Sequence, residues 1–441
     1  MPHFAPLCNS DVGKFKPVDN SVHNLPAVRR RLNASGSRDG GWVIWPSLRR
    51  FAAVSVRSIA MTTHAANNVS PAASPPEPHN LRRLDYVAEA RRLGPPVVPI
   101  VDAHSHIHGT EGSKIYERAA RLYGVRLTYT MTQIVQAPLV RDVLGDTVRF
   151  IAMPSFWEVD REQAFRQGYC ETIERFATQF GARMMKIWRS PALRDIIPSL
   201  NNSTAGATDL AEIDSYWCVE HAKVAQQHGM MIMVHVADPD TWFARKYNNP
   251  VKYGTKAFQY LGLERMLDRF PCPWIAAHMG GWPEDLVFLD SLLTRHPNLH
   301  LDTSAMKWIC RELSAHPAGE VVGFLKKWEG RIIFGSDIVT SDDHTRPQKE
   351  TKSPKADQAS SPEGAFELYC SRYWALRTML ETGYEGPSNI ADTDLVMMDP
   401  DRHTPMDPAP LRGLKLDAGL LKTLYSGVHE RVVDRWWREH P

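Results

Sequence analysis

The chain has 441 residues, 43% of them hydrophobic and 23% charged, with a formal net charge of +2, an ordinary composition for a globular protein. Residues 1–60 hold nine Lys/Arg against three Asp/Glu and the rest 43 against 47, so the bulk of the chain is mildly acidic and offers no basic surface for nucleic acid. No stretch approaches the ~18–20 apolar residues of a membrane span, which leaves a small-molecule substrate as the expected partner, with neither nucleic acid nor membrane.

Residues 1–80 lack sustained periodicity and are rich in Ser, Ala, Asn, Pro and Arg, so they read as a disordered or mis-annotated leader that cannot offset its chain entropy by burial. Arg49-Arg50-Phe51 before Ala52-Ala53-Val54 faintly resembles a twin-arginine export signal, but Arg57 interrupts a short apolar stretch. Met61-Thr62-Thr63 opens a more typical leader, which would make residues 1–60 an over-extended start.

The apolar run Val97-Val98-Pro99-Ile100-Val101 leads into Asp102, His104 and His106. Alternation along a strand puts these three on one face, with the two imidazoles roughly 6–7 Å apart and able to converge on one metal ion. Seven more candidate strands follow: Leu127–Thr132, Val148–Met153, Arg183–Trp188, Met230–Val236, Trp274–His278, Leu299–Thr303 and Arg331–Asp337. Between them lie helical patterns over Arg161–Phe180, Leu210–Gln227, Phe258–Phe270, Pro283–Arg295 and Gly319–Trp328. Strand and helix alternating eight times predict a parallel αβ barrel, an α/β fold whose active site lies at the C-terminal strand ends. That is where the sequence places His235, His278 and Asp337, with Lys186 on the fourth strand.

Asp102-Ala103-His104-Ser105-His106, Met233-Val234-His235, Ala277-His278-Met279-Gly280-Gly281 and Phe334-Gly335-Ser336-Asp337 together resemble the metal-dependent amidohydrolase superfamily. More narrowly, they are similar to its amidohydrolase-related branch, which includes aminocarboxymuconate-semialdehyde and hydroxybenzoate decarboxylases. The resemblance spans residues 95–435. It implies a distorted TIM (β/α)8 barrel over residues 95–440 with a C-terminal helical extension. It also implies one divalent metal ion, zinc being the expected one, held by His104, His106, His235 and Asp337. His278 matches a general acid or base beside the metal, and Asp337 can also accept the proton of a metal-activated water. Lys186 is expected to contact substrate or form an ion pair rather than bridge two metals as a carbamate. Trp188, Arg189, Trp282, Arg245, Lys246 and Lys307 follow strand ends and are candidates to line the pocket, Lys186, Trp188, Arg189 and Trp282 foremost. His108 falls in the loop after the first strand.

Beyond the eighth strand, Ser341–Pro362 reads as a mobile insertion placed where a lid can form. Glu363–Glu381 has helical spacing, 384–415 is Pro- and Asp-rich and reads as irregular, and Leu420–Trp437 reads as a final helix on the barrel. The tandem Trp436-Trp437 suits either that packing or a homodimer contact. Six cysteines, Cys8, Cys170, Cys218, Cys272, Cys310 and Cys370, show no paired spacing and read as core thiols of a reducing compartment, hence a cytoplasmic protein. The function expected is a metal-dependent hydrolase acting on a small carboxylated or cyclic substrate. Non-oxidative decarboxylation on the same metal site is the alternative, and a non-catalytic binding barrel the second.

Overall fold

Eight short strands, each buried on both faces, form the centre of the molecule, and the apolar runs of the sequence are the reason. The computed structural model describes residues 76–347, 349 and 358–441. Its parallel strands are β1 (Ile100–His106), β2 (Val125–Thr130), β3 (Val148–Phe150), β4 (Met184–Trp188), β5 (Met231–His235), β6 (Trp274–Ala276), β7 (Leu299–Asp302), β8 (Ile332–Ile333) and β9 (Ile338–Val339). They pair in two arcs, β3-β2-β1-β9 and β4-β5-β6-β7-β8.

Hydrogen bonds join the arcs at both seams. Between β3 and β4, Ala152 N–H donates to Met184 O (2.9 Å) and Lys186 N–H to Ala152 O (2.7 Å). Between β8 and β1, Ala103 N–H donates to Phe334 O (2.9 Å) and Asp337 N–H to His104 O (2.8 Å). The ring is a distorted αβ barrel, and β8 and β9 are one strand broken where Asp337 sits.

Alternation explains the two-sided burial. Val101, Ala103, Met231, Met233 and Ile275 fill the barrel interior. Ile100, Ile232, Val234 and Ala276 face the outer helices. The closing segment plugs the interior from below: Val428 and Val433 join the inner cluster, and Trp437 meets Tyr129 edge-on at 5.2 Å. Trp436 donates its indole N–H to Gly229 O (2.7 Å), so both tryptophans pack on this chain's own barrel.

Several boundaries differ from the sequence reading. The pattern over 161–180 is two helices, Arg161–Ala164 and Gln167–Phe180, split because Arg166 leaves the helical region at φ −112°, ψ −113°. The helix read from Leu210 starts at Tyr216. Residues 384–415 are not irregular: β10 (Glu385–Ala391) and β11 (Pro408–Arg412) form an antiparallel pair. Pro387, Pro408 and Pro410 are tolerated because a two-stranded ribbon is all edge. Packing also begins before residue 80. Tyr86 donates its hydroxyl to His79 O (2.7 Å), and Asn80 Nδ2 donates to Glu367 Oε2 (2.9 Å). The twin-arginine segment, the alternative start and most of the leader lie outside the described residues, as does the centre of the 341–362 insertion. The flanks of that insertion are anchored: His344 is buried against Tyr369 OH (2.9 Å), and Asp342 accepts from Gly112 N–H (2.9 Å). The five described cysteines are free. No described helix is long and apolar enough to cross a membrane.

Candidate metal centre and catalytic cavity

A register shift between Asp102 and Ser105 separates the first motif into two parts. Asp102 is turned away from the two histidines, contrary to simple alternation. It accepts from Ser336 Oγ (2.6 Å), Tyr373 OH (2.8 Å) and Ser336 N–H (3.0 Å). Burial raises its carboxyl to about 6 against those hydrogen bonds. Asp102 thus ties β1 to the broken eighth strand and to the helix Pro362–Glu381. His104 and His106 then meet Asp337: its Oδ1 lies 3.4 Å from His104 Nε2 and 3.3 Å from His106 Nε2.

Behind His104 the backbone of residue 335 approaches so closely that a side chain does not fit. A Cβ on Gly335 would stand 2.9 Å from His104 Cβ and 3.3 Å from Ser304 Cβ. Gly335→Ala is therefore expected to push His104 off Asp337. It should cost about 1–3 kcal/mol of stability as an overpacked site and lower metal retention, read by thermal melting and by metal analysis of the same sample.

Four non-glycine residues with left-handed backbone gather at these strand ends: His278 (φ 59°), Met279 (φ 50°), Ala305 (φ 63°) and Asp337 (φ 58°). Each such conformation costs about 1–3 kcal/mol and clusters where structure serves function. Here they turn the chain sharply after β6, β7 and β8, which aims His278 and Asp337 inward. The sixth strand accordingly stops at Ala276, two residues before the end read from sequence.

Asp302, at the end of β7, organises the imidazoles. It accepts from His104 Nδ1 (2.8 Å), from His278 N–H (2.8 Å) and from Ser304 N–H (3.0 Å) and Oγ. Ser304 Oγ also lies 2.8 Å from His278 Nδ1. The Ser304 proton goes to Asp302, so His278 Nδ1 must be the donor to Ser304 and His104 Nδ1 the donor to Asp302. Both Nε2 lone pairs are then free to take a metal or a proton. Burial lowers His278 to about 3, with Asp337 opposing and His104 and His235 adding to the shift. Burial would raise the Asp302 and Asp337 carboxyls, but the surrounding histidines outweigh it and hold both well below the usual carboxylate range.

Two groups of donor atoms lie within 4.8 Å of one another among the described residues: His104, His106 and Asp337, and His104, His278 and Asp302. Imidazole nitrogens with one carboxylate oxygen are the donor set of a divalent zinc-type ion. The free Nε2 of His104 and its carboxylate-held Nδ1 are the arrangement of a ligating histidine. His235 stands beside them, its ring 5.0 Å from that of His278, but belongs to neither group. Its Nε2–H is donated to Asp238 Oδ1 (3.1 Å), which leaves Nδ1 as its available donor. Lys186 Nζ is buried, makes no hydrogen bond among the described residues, and is lowered by burial to about 8 against Asp302 and Asp337.

The remaining expected pocket residues divide. Lys246 and Lys307 line a cavity of about 390 Å³ together with His235, His278, Asp337 and Arg372. Arg189 does not: it is buried behind the strand, donating to Cys218 Sγ (2.8 Å) and Trp188 O (2.7 Å). Trp282 stacks on Tyr260 and packs against a tilted Phe288 ring at 4.6 Å, and Arg245 donates to Met398 O (2.9 Å). Trp188 lies edge-on to Phe156 and 6.2 Å from His235. His108 lies 5.6 Å from the Trp157 ring, apart from the histidine cluster. Asp302, Ser304 and Arg372 are additions that the sequence reading missed. Asp302 sits at a strand end like the other candidates and that signal could have found it, whereas nothing local marks Arg372, which arrives on a helix far along the chain.

The amidohydrolase family profile matches residues 167–370. No curated protein matches the chain. Among solved structures, a 2,6-dihydroxybenzoate decarboxylase from Rhizobium is 14% identical, over 63% of this chain and 99% of its own, with a TM-score of 0.34. A 5-carboxyvanillate decarboxylase from Novosphingobium aromaticivorans, solved with manganese and a nitrobenzoic acid, is 10% identical over 78% and 98%, with a TM-score of 0.36. A guanine deaminase from C. acetobutylicum with bound guanine is 12% identical over 63% and 74%, with a TM-score of 0.33.

Proposed function

We propose that this chain, whose residues 167–370 match the amidohydrolase family profile, is an amidohydrolase-type enzyme and a metal-dependent hydrolase of a small carboxylated or cyclic substrate. One observation carries the reading: His104, His106 and Asp337 present their donor atoms together, beside His278, whose Nδ1 is taken by Ser304. His104, His106 and Asp337 would hold the ion, with His235 offering Nδ1 as a fourth donor. The chemistry a zinc ion supplies in such a site is polarisation of a carbonyl and activation of water at neutral pH.

The chain's own groups then move the protons. His278 is proposed as the base, because its Nδ1 is committed to Ser304 and its Nε2 is left to take a proton from water. Ser304 fixes the His278 tautomer, and Asp302 fixes Ser304. Asp337 stays ionised throughout. Once protonated, His278 can return the proton to a leaving group. Decarboxylation would need His278 to begin as an acid and protonate the substrate carbon. Hydrolysis is the reading proposed because the donor set suits activation of a water, and the assay below separates the two.

The test measures metal content, carbon dioxide release and proton release over a panel of lactones, amides and hydroxybenzoates. One divalent ion per chain with proton release and no carbon dioxide is expected. Carbon dioxide release would replace hydrolysis with decarboxylation. Two ions per chain would bring Lys186 in as a carbamate. A metal-free, inert protein would favour a binding barrel.

A further inference from the structure

Among the described residues, the carboxylates and the cations that line the cavity are not paired with one another. Four carboxylates line it: Asp238, Asp337, Asp392 and Asp394. Each is already engaged. Asp238 accepts from His235, Ser190 and Tyr247. Asp337 faces His104 and His106. Asp392 and Asp394 are held by Arg311 at 2.5 and 3.4 Å, and Asp394 also accepts from Trp242 Nε1 (2.9 Å).

Three cations line the same cavity: Lys246, Lys307 and Arg372. Lys246 Nζ rests 3.2 Å above the Trp242 ring centroid. Among the described residues Arg372 donates a long hydrogen bond, 3.3 Å, to Ser371 Oγ. Among the described residues neither Arg372 nor Lys307 has an ion-pair partner. The two feel each other: burial lowers Lys307 and the like charge of Arg372 lowers it further, while Asp392 and Asp394, already held by Arg311, oppose the shift. Burial likewise pulls Arg372 down to about 10, and Asp337 is near enough to oppose that shift. Two partly desolvated cations lining one cavity, neither in ion-pair contact with a carboxylate among the described residues, leave room for an anion to join them.

We propose that Arg372 and Lys307 form an anion subsite, separate from the metal ligands, that holds a carboxylate of the substrate remote from the bond being broken. This deepens the reading of the cavity as an active site and rests on it. The guanidinium supplies the planar fork that matches a carboxylate, and the ammonium a second point charge. The neighbouring walls are apolar, from Trp242, Trp308, Leu368 and Ile338, so the ligand is an organic anion with an apolar body rather than a free inorganic ion. Arg372 comes from the helix Pro362–Glu381 and Lys307 from the helix Met306–Ala315. Selection of the substrate's far end is thereby assigned to segments that carry none of the metal donors.

The test is calorimetric titration of the metal-loaded, full-length protein with benzoate and, separately, with phenyl phosphate. Benzoate is expected to bind the parent protein and to bind Arg372→Met and Lys307→Met about tenfold or more weakly, the loss for a charge-assisted hydrogen bond. Arg372→Lys should recover part of the loss. His106→Ala, which removes a metal donor, should leave benzoate binding within a few-fold. Lys307→Met decides the matter if Arg372→Met melts early. Benzoate binding lost in His106→Ala but intact in both cavity variants would place the carboxylate on the metal and overturn the subsite. So would no benzoate binding to the parent protein, and tighter binding of phenyl phosphate would overturn the carboxylate assignment. None of these outcomes bears on metal content or turnover, so the hydrolase reading stands or falls by its own assay.

Discussion

His104→Ala and His106→Ala are each expected to yield a folded protein that retains little divalent metal and shows no measurable turnover. The two side chains reach Asp337 Oδ1 from 3.4 and 3.3 Å through their Nε2 atoms, so each supplies one donor, and a mononuclear site with a donor missing binds its ion poorly. Folding should survive, because neither imidazole belongs to the apolar clusters that fill the barrel. The two variants should still differ. His104 is wedged between Gly335 and Asp302, and its loss leaves a buried carboxylate without the N–H it accepts from; His106 is partly exposed. His104→Ala should therefore also melt earlier than His106→Ala. Asp302→Asn offers a graded comparison, since removing the group that orients a ligating histidine lowers metal affinity by about 10–100-fold. Metal analysis after gel filtration, with thermal melts on the same samples, reads all three. A His104→Ala/His106→Ala double variant that is fully metallated and active would eliminate this metal site.

His278→Asn is expected to keep nearly full metal content and to lose about 10²–10⁴-fold in kcat, the range for removing a general acid or base. The residue's environment separates it from the donors around Asp337. Its Nδ1 is committed to Ser304 (2.8 Å) and its backbone N–H to Asp302 (2.8 Å), so the ring is held by the protein without a metal. Asn keeps a short polar side chain but carries no titratable nitrogen. It also tolerates the left-handed backbone, φ 59°, that this position demands. Steady-state kinetics beside metal analysis separates the outcomes. A metal-free His278→Asn protein would make His278 a ligand, consistent with the second donor group it forms with His104 and Asp302. Full activity would route the proton through Asp337 or water alone.

Much of this was legible before any coordinate. Eight apolar runs ending in polar residues were enough to place eight strands, because a strand covered by helices outside and packed inside must be apolar on both faces. The polar residue closing each run marked His104, His106, His235, His278 and Asp337 as strand-end groups, since a barrel builds its site on that rim. The helix read over Glu363–Glu381 followed from periodicity alone, and the structure starts it one residue earlier, at Pro362. These features are local: hydrophobic alternation, run length and the residue that ends a run are properties of a few consecutive positions.

What only the tertiary structure decided depends on residues far apart in the chain. Asp102 shares a motif with His104 and His106, yet a register shift sends it to Ser336 and Tyr373. His235 matches the strand-end pattern, yet Asp238 claims its Nε2. Arg189 and Trp282 follow strand ends and still point into the packing. Asp302 gains its role because two other strands bring His104 and His278 within hydrogen-bond reach of its carboxylate. Arg372 enters the cavity from a helix beyond the eighth strand. Periodicity determines which residues form a strand and roughly where it ends. Which atom of a side chain faces which partner is set by register shifts, left-handed turns and the packing of distant segments, and these exist only once the barrel has closed.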